Sequence, residues 1–156
     1  MDILTPKGQE TLAHEAEAIA LFEREYHFHR FLHTAKHKPL AFDGMVLEGD
    51  DLQAIVEIKC RNMTEKQFRN THQAEWLVTH DKILRCAAAA KIIGVPLSGW
   101  LYLVPDKVLL MRRLADAEGN IVDMRLDRTT TQATVNGGSA TRVNAYIDMS
   151  KAKRIV

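Results

Sequence analysis

Asp43, Glu57 and Lys59 are the residues of this chain whose types and spacing could do chemistry together. Thirteen residues separate Asp43 from Glu57, and Ile58 alone separates Glu57 from Lys59. Two carboxylates that face each other suit a hard divalent cation, Mg2+ or Mn2+, which prefers oxygen ligands and keeps several waters. The main-chain carbonyl of Ile58 could add a further oxygen. Such a cation holds a phosphate oxygen and lowers the pKa of a bound water. The Lys59 amine could orient or help deprotonate that water, and could offset charge on a pentavalent transition state. The chemistry implied is hydrolysis of a phosphodiester.

These side chains need elements that bring them together. Residues 41–48 and 52–60 are strand-like runs joined by the short turn Gly49-Asp50-Asp51, which predicts a β-hairpin. A hairpin turning about Asp50 sets position 43 opposite position 57, and directly opposite residues share a face. Lys59, two residues beyond Glu57, shares that face as well. Ala54, Val56 and Ile58 point the other way. The apolar residues around Glu57 predict a strand buried on both faces. A buried carboxylate needs a partner, because burying it alone costs several kcal/mol or more. The competing reading is a cross-strand salt bridge on an exposed face, and the apolar flanks argue against it.

The remaining pattern is that of an α/β domain. Thr5-Pro6 begins a helix that runs to about Tyr26, with Leu12, Ala16, Ile19 and Phe22 as its apolar stripe. Glu15 lies on or beside that stripe. Residues 27–34 alternate as a strand, and 36–39 connect onward. Thr64-Glu65-Lys66-Gln67 has the form of a capping box. A helix spans about 80–93, with Thr79 as its cap and Gly94 and Pro96 ending it. Strands follow near 99–104 and 107–113, with further candidates at 121–126 and 142–147 and a turn at 136–139. The order predicts a central mixed β-sheet flanked by helices. The 156 residues fit a single domain, with a core at about 6–113 and a β-rich extension at about 114–156.

Composition narrows the class. Hydrophobic residues make up 46% and charged residues 26% of the chain, enough for an ordinary soluble core. No run is long and apolar enough for a bilayer span, and the first residues lack the layout of a secretion signal, so a cytoplasmic protein with no membrane partner is expected. Cys60 and Cys86 make neither a disulfide framework nor a zinc pattern, and both are expected as reduced thiols. Net charge is only +1, but residues 1–25 carry six acids and two bases while residues 125–156 carry six bases and two acids. A basic C-terminal third could meet a phosphate backbone, or could be a solvated mixed surface.

Asp43 followed by Glu57-Ile58-Lys59 resembles the PD-(D/E)XK nuclease superfamily, which includes restriction enzymes, Holliday-junction resolvases and phage recombination nucleases. The resemblance covers about residues 9–104. It implies a restriction-endonuclease-like core in a bacterial or phage-infected cell, with Asp43, Glu57, Lys59 and Lys82 as catalytic residues. It implies a metal site of Glu15, Asp43, Glu57 and the Ile58 carbonyl. Glu15 matches a glutamate that the preceding helix often supplies. Lys82 stands where a lysine or glutamine early in the next helix reaches back to the site, with Gln73 as the alternative. Phe42 stands where the motif has proline. Arg61, Arg142 and Asn144 are the expected nucleic-acid contacts.

Two function classes follow. The first is a Mg2+- or Mn2+-dependent deoxyribonuclease, expected as an endonuclease and, like related small resolvases, as a possible homodimer. The second is a non-catalytic nucleic-acid-binding or protein-binding module on a nuclease-like fold. Neither the DNA structure cut nor activity on RNA is set by these residues.

Overall fold

The computed structural model describes residues 5–35, 41–130 and 141–156. The connector read at 36–39 and the turn read at 136–139 lie outside the described residues. In chain order the elements are α1 (Pro6–Glu25), β1 (His29–His33), β2 (Gly44–Glu48), β3 (Asp51–Arg61), α2 (Glu65–Asn70), β4 (Glu75–Thr79), α3 (His80–Ile93), β5 (Leu97–Leu103), β6 (Val108–Ala115), β7 (Arg125–Thr130), β8 (Thr141–Asp148) and β9 (Lys153–Ile155).

Two sheets form. The larger has the order β1-β2-β3-β5-β6-β9, and the smaller has the order β4-β8-β7. β3 runs parallel to β5, and the other pairings of the larger sheet are antiparallel, so that sheet is mixed. The fold is α/β, with helices on both faces of the larger sheet.

The alternation of β3 explains the layering. Val56 and Ile58 pack with Ala18, Ile19 and Phe22 of α1. Ile55 points to the opposite layer, with Ile83, Cys86 and Ala87 of α3 and Trp76, Val78, Ala145 and Ile147 of the smaller sheet. Each fully buried aliphatic side chain contributes about 1.5–3 kcal/mol, so both faces of β3 are firmly held. The alanines of α3 let it lie close against the sheet.

The local start signals are borne out. The Thr5 hydroxyl accepts from the Gly8 N–H, and Pro6 occupies the first turn of α1. The capping box at Thr64 and Gln67 is formed in both directions. Gly94 ends α3 at a φ of +88°, a left-handed conformation that suits glycine. Thr79 stands at the start of α3 as expected, but its side chain makes no capping hydrogen bond.

Three expectations differ from the structure. Residues 41–43 are not in a strand, because β2 begins at Gly44. Residues 75–79, where no strand is expected, form β4. The strand expected at 121–126 lies instead at Arg125–Thr130, and Ile121 makes a single bridge to Ala115. The residues after β6 contribute to both sheets: β7 and β8 build on β4 from the middle of the chain, and β9 extends the larger sheet beside β6.

Candidate active site

The hairpin register sets the site. Gly44 lies opposite Val56 and Met45 opposite Ile55, whereas Leu47 lies opposite Leu52. A register shift between Val46 and Leu47 absorbs one extra residue on β3. The turn alone, with Glu48 opposite Asp51, would bring position 43 against Val56; the shift moves the frame by one and turns Asp43 toward Glu57. The Asp43 N–H donates to the Val56 carbonyl at 3.1 Å. Its carboxylate Oδ2 accepts from the Ile58 N–H at 2.8 Å. The Asp43 carbonyl accepts from the Thr34 N–H at 3.0 Å and from the Thr34 hydroxyl at 2.9 Å. Asp43 is thus held from both neighbouring strands although it lies in neither. Gly44, the next residue, has no room for a side chain, because a Cβ there would run into the Phe31 ring.

Glu57 is wholly shielded from solvent, at 0% exposure. Its Oε1 lies 3.1 Å from Lys59 Nζ, and its Oε2 lies 3.5 Å from Lys82 Nζ. The Lys59 ammonium is the close partner of this buried oxygen, at ion-pair distance. Burial raises the Glu57 pKa from 4.5 to about 7, nearby Asp43 adds to the rise, and Lys59 and Lys82 oppose it. Burial pulls the Lys59 ammonium down, but Glu57 and Asp43 more than offset that and hold it above its ordinary value. The Cys86 thiol, one turn beyond Lys82 on α3, donates to the Ala41 carbonyl at 2.7 Å and lies 3.9 Å from Glu57 Oε2.

The structure therefore brings Asp43, Glu57, Lys59 and Lys82 together. Ile58 contributes through its backbone. In an extended strand the N–H and C=O of one residue point to the same edge, so the Ile58 carbonyl faces the side from which Asp43 approaches. Glu15 is buried on α1, and its charge acts on Cys60, whose thiol burial pushes up to about 12. Cys60 packs in the α1 layer with Ile58, and the Asp43 charge acts on the same thiol. Among the described residues no three His, Cys, Asp or Glu side chains are grouped to hold a metal ion. The oxygen donors that could hold one are the two carboxylates and the Ile58 carbonyl. They suit a hard cation, and the wholly buried Glu57 carboxylate fits one.

A groove of about 920 Å³ opens beside this cluster. Lys59, Arg61, Lys82, Arg142 and Asn144 all line it, so every residue expected to contact nucleic acid lies on one surface. Arg61 donates to the Cys60 carbonyl at 3.1 Å and to the Leu77 carbonyl at 3.4 Å, tying β3 to β4. Asn144 donates to the Thr129 hydroxyl at 2.9 Å. Sequence reasoning missed Cys86, His80 and Arg85. The four-residue spacing of Lys82 and Cys86, which puts them on one helix face, was the available signal for the thiol. His80 and Arg85 join only because β8 folds over the start of α3.

No family model matches the sequence, and no curated protein matches it either. Among solved structures the chain is similar to Hjc, a Holliday junction resolvase from the archaeal hyperthermophile Archaeoglobus fulgidus. The TM-score is 0.47 and the identity 17%, over 84% of this chain and 86% of that one. The α/β assignment stands on the sheet order and on the helices packed against its two faces. No helix among the described residues is long and apolar enough to cross a membrane.

Proposed function

We propose that the chain is a Mg2+- or Mn2+-dependent deoxyribonuclease acting as an endonuclease. The observation that carries this reading is the wholly buried Glu57 carboxylate beside Asp43, with Lys59 and Lys82 at its oxygens. The likeness of Asp43 and Glu57-Ile58-Lys59 to the PD-(D/E)XK pattern supports it.

Asp43, Glu57 and the Ile58 carbonyl would hold the cation, with Glu15 of α1, buried on its helix, as the further carboxylate. When bound, such an ion supplies Lewis-acid polarisation of a phosphate oxygen and a more acidic water. The Ile58 N–H fixes the Asp43 carboxylate, which limits how far it can turn. Lys59 reaches from Glu57 into the groove, where its ammonium can orient the attacking water and offset charge gathering on the phosphoryl oxygens. Lys82 supplies a second positive charge on the far side of Glu57. Arg61, Arg142 and Asn144 place the phosphodiester, and Arg61 is already braced by two main-chain carbonyls.

Purified protein incubated with linear, nicked, flapped and four-way DNA in each metal tests the reading. Glu57→Ala and Lys59→Ala should each lower cleavage by about a hundredfold or more. Equal cleavage by the wild type and both variants would remove these residues from the mechanism. A non-catalytic binding module instead predicts no product under any metal and DNA binding that Glu57→Ala leaves unchanged.

A further inference from the structure

The groove beside Glu57 joins two kinds of surface that rarely share one cleft. Its basic side chains are Lys59, Arg61, Lys82, Arg85 and Arg142, against the single acid Asp81. Asp81 is itself paired with Arg85 at 3.1 Å. Among these charges stand Leu77 and Leu84, which also line the groove and are each 43% exposed. Leu77 lies on the outward face of β4, because Trp76 and Val78 on either side of it are buried. Leu84 lies beside buried Ile83, on the solvent side of α3.

Charge complementarity alone fits any nucleic acid. The leucines separate the possibilities. A duplex offers a protein its phosphates, sugars and groove edges, while its base faces are stacked away. An unpaired strand also exposes base faces, which stack on aromatic side chains without regard to sequence and, being largely apolar, can pack on aliphatic ones. The leucines offer apolar surface among the charges, which the phosphates and sugars of a duplex do not match. A cavity of about 920 Å³ is near the upper end of the range for small-ligand pockets, a scale that suits a few nucleotides of single strand. One wall carries Lys59 and Lys82, so a strand lying along the groove passes beside the two ammonium groups that sit 3.1 and 3.5 Å from the Glu57 carboxylate.

We infer that this groove takes an unpaired DNA strand, with phosphates on its arginines and bases against Leu77 and Leu84. The enzyme then acts on a single-stranded segment or on the unpaired arm of a branched DNA. This rests on the nuclease reading given above, and names its substrate class.

Fluorescence anisotropy in EDTA tests it, with labelled DNA about twelve nucleotides long as a single strand, a blunt duplex and a duplex bearing an unpaired arm. The strand and the armed duplex should bind at least about tenfold more tightly than the blunt duplex. The double substitution Leu77→Ser and Leu84→Ser should weaken strand binding about tenfold and leave duplex binding unchanged. Leu84→Trp should tighten strand binding and lose tryptophan fluorescence as bases stack on it. Arg142→Ala should reduce the salt slope by about one. Blunt duplex bound as tightly as the strand would overturn the inference, as would leucine substitutions that change both ligands equally. Binding in EDTA does not depend on cleavage. Strand preference without any metal-dependent product would remove the nuclease reading alone, whereas cleavage without strand preference would remove this inference alone.

Discussion

Replacing Glu57 by glutamine should stabilise the metal-free protein, and more so as pH rises. Glu57 is fully buried, and burial together with Asp43 lifts its pKa from 4.5 to about 7. The folded protein therefore holds the proton more tightly than the unfolded chain does. Below about pH 4.5 both states are protonated and the group costs nothing. Between about pH 4.5 and 7 the unfolded chain ionises first, and stability falls throughout that window. At about 1.4 kcal/mol per pH unit the loss reaches about 3 kcal/mol. The effects of Lys59 and Lys82 are already contained in the raised value. Urea unfolding in EDTA should give equal stability for wild type and Glu57→Gln near pH 4.5, and an advantage of about 3 kcal/mol for the variant above pH 7. For a domain of this size that is about 6–12 °C in Tm. A variant less stable than wild type above pH 7, or a difference that does not change with pH, would refute the reasoning.

Gly99→Ala should destabilise by about 1–3 kcal/mol in the same assay, because a Cβ there would lie 2.5 Å from Leu114 Cδ1 and 2.6 Å from Trp76 Cζ3. Thr64→Ala should cost about 1 kcal/mol, since the hydroxyl accepts from the Gln67 N–H at 3.1 Å and caps α2. Both thiols, raised by burial to about 12, should react with a disulfide reagent near neutral pH at least about a hundredfold more slowly than in urea-unfolded protein. Prompt reaction of Cys86 in the native state would contradict its burial.

The chemistry-bearing hairpin could be read from the chain because alternation and a tight turn are local signals. The facing of positions 43 and 57 was predicted by centring the turn on Asp50. The molecule reaches the same facing by a tighter turn followed by a bulge, which no local pattern announces. Lys82 was readable from its place early in a well-marked helix. The smaller sheet was not, because its strands pair across long stretches of chain. β4 has only five residues and runs straight into α3. Every residue of β7 is exposed, so it lacks the apolar alternation that marks a strand. The apolar residues Ile121, Val122 and Met124 drew the expectation upstream; they pack against the core from outside any strand. Helical spacing places Glu15 on or beside the apolar stripe of α1, and it is buried there.

The order in which strands leave the ribosome also matters. Asp43, Glu57, Lys59 and Lys82 are all synthesised before β5, and they could assemble once β3 has its parallel neighbour. The opposite bank of the groove, with Arg142 and Asn144, comes from β8, which pairs with β4 only after α3, β5, β6 and β7 have been made. A nascent chain thus carries its acids and lysines long before its groove has a second wall. Closure of β8 onto β4 is the folding step that turns a cluster of charges into a clamp.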